Sequence, residues 1–423
     1  MKTLTAPMGW NSFDCYGAAV DEATVRKNAE FMAKHLKKYG WEYVVVDIQW
    51  SSPNVTNHEY IPFDNLCMDE FSRLIPAENR FPSSADGKGF APLAEYVPSL
   101  GLKFGIHIMR GIPRQAVHNG TKIKNSDKTA RDIAKTSSIC EWNTDMYGVD
   151  PEKDGAKAYY DSIFELYASW GVDFIKCDDI ARELPHEETE LLMLSDSLHN
   201  CGRDMVLSLS PGPAILEKAE LYKQVADMWR ITDDFWDKWE LLYNMFERAE
   251  KWCIHSAAGH WPDCDMLPLG RIGKHFGQER STNFTPDEQK TMMTLWCIFG
   301  SPLMLGAEMT KLDEWTLSLL CNEELLRLES GRFRAKQVLR DDKVCVWAAL
   351  DVSGGEYYVA LFNLSEEERR VEVTLEECGA MFPEGRMELQ PLHEVWSGRT
   401  FTAEDGVLGG DVKPHGVLLL HKR

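Results

Sequence analysis

Short apolar runs alternate with longer stretches of helical period through the first three-quarters of the chain. Eight runs are legible: "MGWNSF" (8–13), "YVVVDIQW" (43–50), "KFGIHIMRG" (103–111), "VDFIKCDD" (172–179), "MVLSLSPG" (205–212), "MWRITDD" (228–234), "HWPDCDML" (260–267) and "CIFGSPLML" (297–305). Apolar runs without polar alternation mark strands covered on both faces, as in parallel sheets. The intervening segments read as amphipathic helices. In "DEATVRKNAEFMAKHLKKYG" (21–40), Val25, Ala29, Met32 and Leu36 share one stripe, the first turn is acidic, lysines sit near the end and Gly40 supplies the stop. "KAYYDSIFELYASWG" (157–171) repeats the pattern and also ends in glycine. Eight strand–helix units predict an α/β fold, a (β/α)8 TIM barrel. An open doubly wound sheet is the alternative, disfavoured because no strand leads into a glycine-rich phosphate turn.

After about residue 325 the texture changes. "KVCVWAALD", "EYYVALFNLS", "RRVEVTLEE" and "GVLLLHKR" alternate or run short between Gly, Asp and Glu turns, with no clear long helix. This predicts a C-terminal antiparallel β-sandwich. The expected organisation is a barrel over residues 1–324 and a sandwich over 325–423, packed directly because no low-complexity linker separates them. A chain of 423 residues is long enough for two cores.

Charge and composition narrow the partners. A formal net charge of −21 excludes nucleic acid and anionic membranes, which call for a basic face, and leaves neutral small molecules and sugars. The 14 Trp suit either sugar-binding pockets or a Trp-rich core. Eleven Cys are scattered singly with no CxxC pair, so neither a zinc site nor a disulfide framework is expected. The N-terminus "MKTLTAPMGWNSF" has no long apolar segment, and "LWCIFGSPLMLGA" is too short and too broken to span a membrane. A cytoplasmic protein is expected; a homo-oligomer is compatible with this size, although no residue identifies one.

In a barrel, polar residues at the C-terminal ends of the strands converge on one site. Those ends supply Trp10 and Asn11, then Asp47, Ile48, Gln49 and Trp50, then His107, Met109 and Arg110, then Lys176, Asp178 and Asp179. The later strands add Ser208 and Ser210, then Arg230, Asp233 and Asp234, then Asp263 and Asp265. Two carboxylates across a pocket suit glycoside hydrolysis, one at the anomeric carbon and the other protonating the leaving oxygen. Lys176 shares a strand face with Asp178 and can hold it ionised. An apolar wall of Phe235 and Trp236 could raise the acid. Each residue also has an ordinary reading: a helix cap or ion pair for Asp178 and Asp234, a salt bridge for Lys176, a core histidine for His107, a barrel plug for Trp10 and Trp50. Convergence on one rim favours the site.

The motifs "APMGWNSF", "YVVVDIQW", "GLKFGIH", "GVDFIKCDD", "WRITDD", "DCDMLPLG" and "FGSPLMLG", in this order and spacing, resemble glycoside hydrolase family 27, the α-galactosidase and α-N-acetylgalactosaminidase family. The resemblance spans nearly the whole chain, including "KPHGVLLL" near its end. It implies a barrel plus β-sandwich and a retaining exo-glycosidase needing no metal or other cofactor. The family's K-x-D nucleophile falls on Asp178 and its W-R-x-x-x-D acid/base on Asp234, leaving Asp179 and Asp233 as neighbours. Asp47, Lys176, Arg230, Asp265 and His107 are then expected to bind the sugar, with Trp10 and Trp50 shaping apolar walls.

Two departures bear on substrate. α-Galactosidases of the family carry two adjacent aspartates after the second strand; here Asp47 is followed by Ile48, which offers no acceptor for a sugar O6 and crowds C6. Such a site favours β-L-arabinopyranose, the galactose-configured sugar without a C6 arm, and the family includes a β-L-arabinopyranosidase branch. On the fifth strand a Cys-Glu-Trp stretch is replaced by "LSLSPGP", where small Ser210 could open space at C2, as in the N-acetylgalactosaminidase branch. The reading is thus a cytoplasmic retaining glycosidase, β-L-arabinopyranosides ahead of α-D-galactosides and α-N-acetylgalactosaminides. A magnesium-dependent lyase using Asp178, Asp179, Asp233 and Asp265, and a non-catalytic sugar-binding protein, are the rivals from other classes.

Overall fold

The computed structural model describes residues 3–351, 353, 355–383, 387–388, 390–403 and 405–422. Met1, Lys2 and Arg423, the outer ends of the two expected domains, lie outside the described residues. All eight expected barrel strands are present: β1 (Met8–Asn11), β2 (Tyr43–Val46), β3 (Lys103–Met109), β4 (Phe174–Asp178), β5 (Val206–Leu209), β6 (Met228–Arg230), β7 (Trp261–Asp263) and β8 (Leu303–Leu305). They form one parallel sheet in the order β7-β6-β5-β4-β3-β2-β1-β8. Beyond β7, Leu267 N donates to Met304 O at 2.8 Å and Gly306 N to Leu267 O at 3.1 Å, joining the two outer strands and curling the sheet into a barrel.

The helices follow from their caps. The first long one, α1 (Glu22–His35), starts at Asp21, whose carboxylate accepts from Thr24 N, and gives way to a 3-10 turn ending at Gly40 with φ 97°. The second, α2 (Ala156–Trp170), ends at left-handed Gly171. One expectation needs correcting. Cys297, Ile298 and Phe299 belong not to the eighth strand but to the last turn of α3 (Pro286–Phe299), which stops at left-handed Gly300. This helix is buried all round from Thr291 to Phe299, so it shows no polar stripe and reads like a covered strand.

The C-terminal part contains a six-stranded antiparallel sheet: β9 (Phe333–Arg340), β10 (Val344–Asp351), β11 (Tyr357–Asn363), β13 (Leu392–Glu394), β14 (Arg399–Phe401) and β16 (Val417–Lys422). Their order is β9-β10-β11-β16-β13-β14. A separate pair, β12 (Arg369–Thr374) with β15 (Val407–Val412), covers it. The strand expected over "RRVEVTLEE" stops at Thr374, because Thr374 and Glu377 form a reciprocal capping box that starts a helix over Leu375–Ala380. The expected boundary at 324/325 falls inside a short helix, Glu323–Leu326.

Side-chain parity explains how the two parts join. Cys345, Trp347 and Ala349 of β10, with Tyr358, Ala360 and Phe362 of β11, pack into the core shared with the barrel helices. Val346, Ala348 and Leu350, with Tyr357, Val359 and Leu361, face the sandwich interior. Both faces are covered, which is why these strands read as unbroken apolar runs. Phe362 meets Phe246 at 4.9 Å between ring centroids. Among the described residues, no helix is long and apolar enough to cross a membrane.

Candidate active site

The strand ends of the barrel surround a cavity of about 290 Å³. Its charged lining is Asp14, Asp47, Lys176, Asp178, Arg182, Arg230, Asp233, Asp234 and Asp265, with Phe13, Tyr60, Trp142 and Trp236 among its aromatics.

Asp178 is the last residue of β4, two positions after Lys176 on the inward face. Its two oxygens are answered separately: Oδ2 by His107 Nε2 at 2.8 Å, and Oδ1 by the Ser210 hydroxyl, which donates at 2.5 Å. Burial alone would raise this carboxyl; the Lys176 charge, the His107 hydrogen bond and charge, and the Arg230 charge outweigh burial and hold it well below the ordinary range. The next residue has a different task. Asp179 takes φ 62°, turning the chain off the strand, and is gripped by Arg110 through its carbonyl at 2.8 Å and its carboxylate at 2.7 Å. Two adjacent carboxylates therefore end this strand because one faces the cavity and the other makes a buried ion pair.

Asp47 follows β2 and is almost fully buried. It accepts from Asn11 Nδ2 at 2.6 Å and Lys176 Nζ at 2.8 Å, and its other oxygen caps Ile48 N at 2.8 Å. Burial works to raise it, but Lys176 and His107 hold it below its usual value. Lys176 thus stands between two carboxylates, whose charges override burial and keep it protonated. On the opposite side Arg230 links Asp234 at 2.7 Å and Asp265 at 3.3 Å. Asp265 has φ 75° and accepts from Phe235 N at 2.8 Å, fixing the loop that carries Asp234.

The expected site residues divide into three groups. Asp178, Asp234, Asp47, Lys176, Arg230 and Asp265 line the cavity. His107 and Ser210 are not part of this lining; both hydrogen-bond the Asp178 carboxylate. Trp10, Trp50 and Ile48 are not part of the lining. Trp10 alternates with inward-facing Asn11, so it points to the helix layer, where it donates to Ala307 O at 2.7 Å. Trp50 donates to His107 O at 2.7 Å and packs edge-on against Phe90. Both are core residues. Ile48, 1% exposed, lies in a small apolar cluster with Ala18, Val55, Met109, Cys140 and Met146, against which Phe13, Tyr60 and Trp142 pack. It supports the cavity wall from behind. Phe235 and Trp236, the apolar wall expected near Asp234, both line the cavity, Phe235 also packing against Trp296 at 4.9 Å, while the Asp234 side chain is 56% exposed and paired with Arg230.

Asp14, Tyr60, Trp142, Phe13 and Arg182 were missed by the strand-end rule. Phe13 and Asp14 open a one-turn helix, Phe13–Tyr16, just after β1, and Tyr60, Trp142 and Arg182 come from loops; in neither setting does a periodicity assign a direction. Lone aromatics within polar stretches, such as Trp142 in "EWNTD", are the only sequence signal for them. All eleven cysteines are free thiols. Among the described residues no group of three or more His, Cys, Asp or Glu side chains is arranged to hold a metal ion.

A barrel whose C-terminal rim gathers carboxylates and aromatics around a cavity of sugar-ring size, followed by a β-sandwich, defines a class of barrel glycosidases. Known proteins narrow this. The family described as alpha galactosidase A matches residues 151–330, and the one described as alpha galactosidase C-terminal beta sandwich domain matches residues 341–421. An α-galactosidase of Coffea arabica is 27% identical over 85% of this chain and 79% of its own. The crystal structure of a family 27 β-L-arabinopyranosidase from Geobacillus stearothermophilus is 54% identical, with a TM-score of 0.94 over 99% of this chain and 96% of its own. A Bacillus halodurans structure, provisionally assigned as an α-N-acetylgalactosaminidase, is 51% identical, with a TM-score of 0.88 over 100% of this chain and 99% of that one. The chain belongs to glycoside hydrolase family 27 and is a glycosidase.

Proposed function

We propose that this glycosidase is a retaining, exo-acting enzyme that removes terminal galactose-configured sugars, with β-L-arabinopyranosides as its preferred substrates. The carrying observation is the 54% identity, over essentially the whole chain, to a protein described as a β-L-arabinopyranosidase. Ile48 is consistent with it. Where a second acidic residue would supply an acceptor for O6, the wall is backed by an apolar cluster, so a C6 hydroxyl entering there would lose its hydration without gaining a partner.

In this reading Asp178 attacks the anomeric carbon while Asp234 gives its proton to the departing glycosidic oxygen, leaving a glycosyl ester on Asp178 and an ionised Asp234. Asp234 then takes a proton from water, whose oxygen attacks the same carbon and releases Asp178. His107, Ser210 and Lys176 keep the nucleophile ionised and aimed. Arg230, 2.7 Å from Asp234, holds that side chain in place through both steps. Asp47, Lys176, Arg230 and Asp265 supply hydrogen bonds to ring hydroxyls, and the cavity of about 290 Å³ suits a single terminal sugar.

A second reading, α-N-acetylgalactosaminidase, is favoured by the 51% identical structure. Initial rates on the p-nitrophenyl glycosides of β-L-arabinopyranose, α-D-galactopyranose and α-N-acetylgalactosamine, with EDTA present, separate the two. The arabinoside is expected to have the highest kcat/KM. A higher value for the acetylated sugar would transfer the assignment to the second reading, and a higher value for the galactoside would remove the role given to Ile48.

A further inference from the structure

Asp14 takes part in none of the interactions above, although it lines the same cavity. It is 4% exposed, and no hydrogen bond or ion pair reaches its carboxyl among the described residues; Oδ2 is fully buried and unpartnered. Its place is built for it. A Cβ on Gly306 would lie 2.3 Å from Oδ2, so only glycine at that position leaves room for the carboxyl. The backbone is pinned as well, since Asp14 O accepts from Gly273 N at 2.9 Å. A buried carboxyl without a partner is costly; Oδ2 is sealed against Gly306, so Oδ1 is the oxygen left for a ligand hydroxyl entering the cavity.

We propose that Asp14 is a substrate-binding residue that donates a hydrogen bond, as a neutral carboxylic acid, to an oxygen of the bound glycoside. This rests on the reading of the cavity as the glycoside site. The charged groups around it explain why the acid form is held. Burial raises it first, then the Asp265 and Asp234 charges, with Asp47 adding to them and Lys176 opposing. On the loop packed against it, Arg280 senses the Asp14 charge and Lys274 lies over the neighbouring Tyr16 ring, while Glu308 follows Gly306. No cation among these is paired with it. Five other aspartates already line the cavity, so an ionised Asp14 would add like charge and accept rather than donate.

Three variants assayed on the p-nitrophenyl arabinoside test this. Asp14→Asn keeps the shape and a donor at every pH; Asp14→Ala removes the donor; Asp178→Asn reports separately on the site itself. Asp14→Ala, checked for folding by circular dichroism, is expected to raise KM roughly tenfold or more with a smaller change in kcat. Wild-type KM is expected to climb on the alkaline side of the pH profile, where Asp14 ionises, whereas KM for Asp14→Asn stays level there. Unchanged KM in Asp14→Ala, or the same KM–pH curve for wild type and Asp14→Asn, would overturn the assignment. Full activity in Asp178→Asn would instead overturn the placement of the site.

Discussion

At the residue scale, Asp178 and its partners form one electrostatic unit. Asp178→Asn keeps the shape but removes the proposed nucleophile, and its amide nitrogen replaces one of the two oxygens that meet His107 and Ser210. It is expected to fold normally and lose turnover by several orders of magnitude, as covalent catalysts do when the attacking group is removed. Asp234→Ala should lose much less on a p-nitrophenyl glycoside, whose leaving group needs no proton, than on an alkyl glycoside; equal losses on both would remove Asp234 from the acid role. Lys176 is the largest influence holding Asp178 ionised against burial. Lys176→Met should therefore raise the Asp178 carboxyl and move the acid limb of kcat/KM to higher pH, while a stationary limb would show that His107 and Arg230 suffice. The same residues show what sequence makes legible. Lys176 and Asp178 were readable because alternation puts both on one strand face. Trp10 was placed by its position at a strand end and by the resemblance; the same alternation, applied from inward-facing Asn11, turns it toward the helix layer. Ser210 and His107 were identified as site residues, but their direct partner, the Asp178 carboxylate, depends on cross-strand register that one sequence does not specify.

At the level of elements, the β/α units were legible because buried parallel strands leave apolar runs and helices leave stripes and glycine stops. α3 shows the limit. Wrapped on all sides, it loses the polar face that distinguishes a helix from a covered strand. β7 carries a second titratable group with a consequence for stability. Asp263 is buried, its side chain accepts from Asp265 N at 2.9 Å, and burial, with the nearby Asp265 charge, pushes it up from 3.8 to about 7. A carboxyl raised in the folded state favours folding while protonated, and that contribution is lost as pH rises from the unfolded value through the folded one. Between pH 3.8 and about 7 the wild type should lose Tm relative to Asp263→Asn, with the gap constant above that window. Thermal melts across this range check it; parallel curves would mean that Asp263 is ionised throughout in the folded barrel.

For the whole molecule, the decisive feature is that the barrel and the C-terminal sheet share one apolar core. β10 and β11 send alternate side chains into each part, so both faces of these two strands are covered. Phe362 sits fully buried at this junction, against Phe246. Phe362→Ala is expected to cost about 3–5 kcal/mol through lost burial and the cavity it leaves. Calorimetry should still show one transition, shifted down. Two separated transitions would show that the parts unfold independently. The two-part plan was readable from the change in strand texture near residue 325. A short helix, Glu323–Leu326, runs across the expected boundary, and no linker composition marks where one part passes into the other.

The proposed mechanism turns on a covalent bond from Asp178 to the anomeric carbon of a galactose-configured sugar. Incubation with 2-deoxy-2-fluoro-β-L-arabinopyranosyl fluoride, followed by proteolysis and peptide mass spectrometry, tests it directly, because the 2-fluorine slows both steps while the activated anomeric fluoride restores the rate of the first, so that the intermediate accumulates. The predicted result is one added glycosyl unit on the peptide containing Asp178, absent from Asp178→Asn. An adduct on another carboxylate, or steady hydrolysis with inversion and no adduct, would contradict it.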